Sequence, residues 1–223
     1  MATTPNGVSD RIIWIDCEMT GLDLDNDALV EIAAVVTDGE LNVLGEGVEA
    51  VIKPPAAALE QMGDFVRNMH TESGLINRLD DGVSLDQAEQ IVIDYIKAHV
   101  PVPSKAPLAG NSVATDKMFL ERDMKDLVQH MHYRIVDVSS IKELARRWYP
   151  RIYYASPSKN GGHRALADIL ESIDELRYYR AAMFVEQPGP STQEARNKAI
   201  AVVDSSVSET VTVPQAFRKT ATN

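Results

Sequence analysis

The sequence predicts an α/β domain with a mixed central sheet flanked by helices. Three observations carry that expectation. Strand-like apolar runs occupy residues 11–18, 29–38 and 43–53 near the start of the chain. Two further short apolar segments, Pro107 to Gly110 and Arg134 to Val138, lie between stretches of helical periodicity. Strands followed by alternating helices and short strands make a mixed sheet.

Each element has its own local warrant. The run Ile12, Ile13, Trp14, Ile15 reads as the body of the first strand. The second and third strands are joined by a turn near Asp38-Gly39, which suggests a hairpin. After Pro54-Pro55 the pattern becomes helical. Ser84 to Val100 is an amphipathic helix, with Ser84 as N-cap, Gln87 completing a capping box, and Pro101 as the stop. Asp116 to His130 is expected as a single helix, and Ser140 with Glu143 as a second capping box opening a helix that ends at Pro150. A loop with Pro157 and Gly161-Gly162 follows, then a helix from Ala165 to Phe184. The organisation is a flexible N-terminus at 1–10, a folded domain at 11–186 and a mostly disordered tail at 187–223, rich in Ser, Thr, Pro and Ala.

Composition narrows the function. The chain has 223 residues and is 44% hydrophobic, as expected of an ordinary globular domain. No apolar run approaches the roughly 20 residues needed to span a bilayer. The N-terminus shows no secretory pattern. The lone Cys17 excludes an internal disulfide framework and points to a reducing, cytoplasmic setting. It should lie on the strand face away from Asp16 and Glu18, as a small core residue. A net charge of −11 argues against gripping long nucleic acid through a basic surface. Short substrates held by metal ions remain open, because divalent cations reverse the local sign.

The stretch IDCEMTGLD poses the chemical question. Residues two apart on a strand share a face, so Asp16 and Glu18 stand side by side at the end of an apolar run. Two such carboxylates repel and resist desolvation unless something positive sits between them. The alternative is a strand running out into a solvated acidic turn, Gly21 to Asp27. Asp116 sits where a short strand enters a helix, in AGNSVATDKMFL. His163 and Asp168 follow a glycine-containing loop in GGHRALADILES, and Asp168 is flanked by Leu166, Ala167, Ile169 and Leu170. Taken singly, Asp116 and Asp168 read equally as exposed helix charges, and no one of the five histidines stands out.

In combination these blocks resemble the DEDDh family of 3′→5′ exonucleases, which has a ribonuclease H-like fold. IWIDCEMTGLD, GNSVATDKMFL, HYRIVDVSSIKELARRWYP and HRALADILES are most similar to its bacterial oligoribonuclease branch, over roughly residues 11–184. The resemblance implies hydrolysis of very short oligoribonucleotides and linear dinucleotides to 5′-nucleoside monophosphates. It implies two divalent cations, Mg²⁺ or Mn²⁺, held by Asp16, Glu18, Asp116 and Asp168, with Asp16 bridging both. It makes His163 the general base, a task suited to an imidazole of ordinary pKa near 6.5. It places Leu22 as a wedge between two bases and Phe65 as a stacking surface where the family more often has Trp. His70 would lie near the 3′ nucleotide. Ser112, Arg134, Ser139 and Ser140 would cap the terminal 5′ phosphate, and Tyr133 would come from the partner subunit of a homodimer. Outside this reading stand a related exonuclease for longer strands, a catalytically idle dinucleotide-binding module, and a structural calcium site, for which no EF-hand spacing is present.

Overall fold

The computed structural model describes residues 10–158 and 162–208. Residues 1–9 of the expected flexible N-terminus, Gly161 of the glycine pair, and positions 209–223 of the tail lie outside the described residues. The strands are β1 (Ile12–Met19), β2 (Leu29–Thr37), β3 (Val43–Val51), β4 (Pro107–Gly110) and β5 (His132–Asp137). They form one sheet in the order β3-β2-β1-β4-β5. β1, β2 and β3 pair antiparallel, whereas β4 runs parallel to β1 and β5 parallel to β4. The mixed sheet is as the sequence predicts. In the β2–β3 hairpin, Asp38 accepts from the backbone N–H groups of Glu40 and Asn42.

The helices are α1 (Ala56–Glu60), α2 (Asp64–Glu72), α3 (Leu85–His99), α4 (Ala114–Asp123), α5 (Lys125–His130), α6 (Val138–Trp148), α7 (Pro150–Tyr154), α8 (Ala165–Met183) and α9 (Thr192–Ser208), with a 3₁₀ segment at Leu75–Asp81. The two-residue alternation of β1 sorts its side chains between two cores. Ile13, Ile15, Cys17 and Met19 pack with Val92, Ile93 and Ile96 of α3. Trp14 packs with Ala33 and Val35 of β2 and with Ile169 and Ile173 of α8. Asp16 and Glu18 therefore share the α8 side with Trp14, and Cys17 faces away from them as expected. The buried Trp14 indole donates to Thr37 Oγ1 at 3.0 Å, so its one polar atom is satisfied.

Several local expectations are corrected. The helix expected over Asp116 to His130 begins at Ala114 and divides into α4 and α5 at Met124, whose φ of −130° and ψ of 67° leave the helical region. The Ser84–Gln87 capping box forms in both directions. The Ser140–Glu143 box does not, because α6 starts earlier. Asp137 is its N-cap, accepting from the Ser139 N–H at 2.9 Å, and Glu143 pairs with Arg146 instead. The last strand starts at His132 rather than Arg134. In the segment expected to be mostly disordered, Thr192–Ser208 form α9. Ser191 and Glu194 exchange hydrogen bonds at its start, a capping box present in the sequence. The described residues from Val185 onward form a compact unit of their own.

Candidate active site

The three parallel strands β1, β4 and β5 end at the same edge of the sheet, where open α/β folds place their ligands. β1 ends in Asp16 and Glu18, β4 leads into Asn111 and Ser112, and β5 leads into Asp137 and Ser139. A cleft of about 480 Å³ opens there. Asp16, Glu18, Leu22, Phe65, Ser112, Asp116, His163 and Asp168 all line it, so acids far apart in the sequence converge there.

The acids are held individually. Asp116, in the first turn of α4, accepts the Cys17 N–H at 2.9 Å, which fastens its carboxylate to β1 between Asp16 and Glu18. Burial nevertheless pushes its pKa up to about 6, against the stabilising pull of that N–H. Glu18 is pushed up to about 7, first by burial and then by the charges of Asp168, Glu31 and Asp116. Glu18, Asp168 and His163 each bring a ligand atom within 4.8 Å of one another. That constellation suits a divalent cation. Buried carboxylates that resist ionising in one another's company gain most from a shared positive charge, and hard oxygen donors suit magnesium or manganese. The sequence reading gives the metal to the four acids; the close group contains two of them and adds His163. His163 itself is exposed, at a positive φ of 46°.

Behind the cleft lies a charge network that sequence reasoning missed. Glu31 is fully buried on β2 and sits opposite Glu18 in the β1–β2 register. Arg164 grips both its oxygens, at 2.8 to 3.2 Å, and the Ala165 N–H donates to it at 3.0 Å. Arg164 also reaches Glu49 at 3.1 Å. Because α8 has no side-chain cap of its own, Glu31 supplies one across the sheet and anchors the turn between His163 and Asp168. A charged residue inside the otherwise apolar run LVEIAAVV was the available signal.

The remaining predicted residues surround the cleft at different depths. His70 is wholly buried beneath it. Its Nε2 contacts the Met19 carbonyl at 2.9 Å, so the proton belongs on Nε2. Nδ1 then faces Glu18 at 3.9 Å, and burial lowers the His70 pKa, which favours the neutral ring. Leu22 and Phe65 project at the lips, 74% and 81% exposed. Gly21, just before Leu22, packs closely, and a Cβ there would displace the Asp27 carboxylate. Ser139 donates its hydroxyl to Asn111 and accepts from the Ser112 N–H at 2.9 Å. Ser140 is exposed on α6. Tyr133 and Arg134 are exposed on the edge strand β5, with Arg134 Nε donating to the Tyr133 hydroxyl at 3.1 Å. The structure does not bring His70, Tyr133, Arg134, Ser139 or Ser140 into the cleft lining.

Residues 13–176 match the family model described as Exonuclease. The oligoribonuclease of Streptomyces griseus is 64% identical over 192 residues, covering 86% of this chain and 96% of that protein. The oligoribonuclease of Leifsonia xyli is 59% identical over 196 residues, covering 88% and 95%. The chain belongs to the oligoribonuclease family of exonucleases. Membership extends through the sheet and every strand-end residue described above, since the matched region runs from β1 into α8. The fold recurs in the zinc-bound form of the E. coli exonuclease I–single-stranded DNA complex, with a TM-score of 0.60 at 16% identity. That alignment covers 86% of this oligoribonuclease-family chain but only 45% of exonuclease I. Among the described residues no helix is long and apolar enough to cross a membrane.

Proposed function

We propose that the protein is a 3′→5′ exoribonuclease that hydrolyses very short oligoribonucleotides, dinucleotides above all, to 5′-nucleoside monophosphates. The observation that carries this reading is one small cleft with converging carboxylates at its floor, two exposed apolar side chains at its lips, and hydroxyls at a strand end beside it. Relatives named oligoribonuclease, near 60% identical over almost their full lengths, support it.

In this proposal Asp16, Glu18, Asp116 and Asp168 hold two divalent cations, Mg²⁺ or Mn²⁺. When bound, these supply positive charge where the phosphoryl oxygens gain negative charge. His163 takes the proton from the attacking water, and its exposed loop position gives it access to solvent and substrate. Leu22 inserts between the two bases and Phe65 stacks on one of them. Large apolar groups standing out at a cleft mouth suit that use. Neutral His70 supports the 3′ end from below. Ser112 and Ser140 supply hydroxyls, with Ser139 orienting that of Ser112, and Arg134 supplies a planar fork, for the 5′ phosphate. The partner subunit's Tyr133 completes the site in a two-fold homodimer. β5 supports this as an edge strand that leaves Tyr133 and Ile135 exposed, and α6 adds exposed Leu144 and Trp148. The buried thiol of Cys17 suits a cytoplasmic setting.

The test is a length series. Purified protein with magnesium meets 5′-labelled RNA of graded length under single-turnover conditions, starting from the dinucleotide. The proposal expects the rate to collapse beyond the dinucleotide. A flat profile would keep the exonuclease and discard the closed 5′ end. Tight dinucleotide binding without cleavage would replace the enzyme by a binding module.

A further inference from the structure

Asn111 joins the two ends of the cleft. It follows β4 directly, and its side chain has partners on both sides. Nδ2 donates to Ser172 Oγ at 2.8 Å and to Glu175 Oε2 at 3.1 Å, both on α8. Oδ1 accepts from Ser139 Oγ at 3.0 Å, in the first turn of α6. The amide orientation follows from the partners. Glu175 faces it with a carboxylate that only accepts, and the Ser172 hydroxyl is spent on the Asp168 carbonyl at 2.8 Å. Glu175 is itself buried and held by Lys142 at 3.0 Å.

The order of donors then runs one way. Ser139 gives its only proton to Asn111, so its oxygen accepts the Ser112 N–H at 2.9 Å and faces Ser112 Oγ at 3.1 Å. In that pair the Ser112 hydroxyl must be the donor, and its proton is the one able to swing to an incoming phosphate oxygen. Ser112 sits at a positive φ of 52°, a conformation unfavourable for a residue with a Cβ. The contacts to Ser139 and to Asp137, which accepts the Ser112 N–H at 3.0 Å, hold it there.

We propose that Asn111 is a positioning residue that sets the distance from the Asp168 helix to the Ser112–Ser139 pair, and so gauges substrate length. A continuous run of hydrogen bonds, Asp168 carbonyl to Ser172 to Asn111 to Ser139 to Ser112, makes that separation a fixed length rather than a loop-dependent one. The inference requires that interval to admit a dinucleotide carrying a 5′ phosphate and no more. A longer chain must continue through the position the serines occupy. This inference rests on the proposed dinucleotide reading and assigns its selectivity to a residue that need not touch the substrate.

The experiment compares full-length wild type with Asn111→Ala and Ser172→Ala. It reads kcat/KM with magnesium for a 5′-phosphorylated dinucleotide, its 5′-hydroxyl counterpart and a heptanucleotide. It also reads dinucleotide binding in chelator, which is independent of turnover. Wild type is expected to favour the phosphorylated dinucleotide strongly. Asn111→Ala should lower that preference about tenfold, the scale of losing one hydrogen bond to a charged group. The affinity ratio in chelator should fall with it. Ser172→Ala, a smaller change that leaves Glu175 in place, should move both ratios the same way by less, and it serves if Asn111→Ala does not fold. Equal loss for all three substrates, with the ratios preserved, would mean a merely structural asparagine and would overturn the inference alone. A wild-type ratio near one would overturn the dinucleotide reading and the inference with it.

Discussion

Replacing Glu18 by glutamine should stabilise the metal-free protein while abolishing cleavage. The folded structure raises the Glu18 pKa from an ordinary 4.5 to about 7, through burial and the charges of Asp168, Glu31 and Asp116. A raised folded pKa means that the native state binds the proton more tightly than the unfolded chain does. The associated stability is fully present below the unfolded value and is lost as pH rises through 7. The shift is worth about 3 kcal/mol at pH 8. Glutamine imitates the protonated carboxyl and escapes the loss. For a chain of this length that corresponds to roughly 6–12 °C in melting temperature. The assay is thermal unfolding of wild type and Glu18→Gln in chelator, from pH 4 to pH 8. The gap should be near zero at pH 4, small at pH 5 and largest at pH 8. Added magnesium should then raise the wild-type melting temperature more at pH 8 than at pH 6, and that of the variant less. A variant less stable than wild type at pH 8 in chelator, or a gap that does not grow with pH, would refute the account of a site strained by its own carboxylates.

Other expectations follow from burial and partners. His163→Ala should lower kcat by about 10²- to 10⁴-fold, because it removes a proton acceptor. Its melting temperature should stay unchanged, because the side chain is exposed; a large drop in melting would assign His163 a structural role. Glu31→Ala should behave in the opposite manner. It leaves Arg164 with Glu49 as its partner, uncaps the Ala165 N–H and costs about 1–3 kcal/mol, readable by denaturant titration. A loss under about 1 kcal/mol would show that water replaces the carboxylate without strain. Arg134→Ala should reduce affinity for a 5′-phosphorylated dinucleotide by about tenfold or more, leave the 5′-hydroxyl form unaffected, and not change stability. Equal weakening of both forms by calorimetry would remove Arg134 from the phosphate site.

What the sequence made legible follows from how local each signal is. Asp16 and Glu18 could be placed on one face because a strand alternates strictly, and nothing beyond eight residues was needed. The Ser84 capping box was readable for the same reason. The second box failed on competition. Asp137 lies three residues before Ser140 and caps the same helix first, and only the end of β5 decides which of them is reached. Met124 breaks the α4–α5 run although neither Gly nor Pro marks it. Glu31 was out of reach for a different reason. Its meaning depends on Arg164, 133 residues away, and a lone acid in an apolar strand does not announce its partner. Asn111 stood in plain view in GNSVATD, yet its three partners come from two helices brought together only by the sheet edge.

The placement of cations argues for the same chemistry from the other side. Two basic groups near the cleft are committed to acids behind it. Arg164 is taken by Glu31 and Glu49, and Lys142 by Glu175. Burial favours the neutral His70 ring, against the pull of its bond to the Met19 carbonyl. Arg164 lowers the Glu18 pKa, but less than burial and the surrounding carboxylates raise it. The fold thus spends its positive side chains on fixing α8 and α6 rather than on neutralising Glu18 and Asp116. Those two carboxylates remain costly to ionise at neutral pH, at about 7 and about 6. A protein that only needed a stable strand end could lower that cost with a single lysine. Keeping the carboxylates together and the cations away is what a site requires when its positive charge must arrive with, and act on, a phosphodiester.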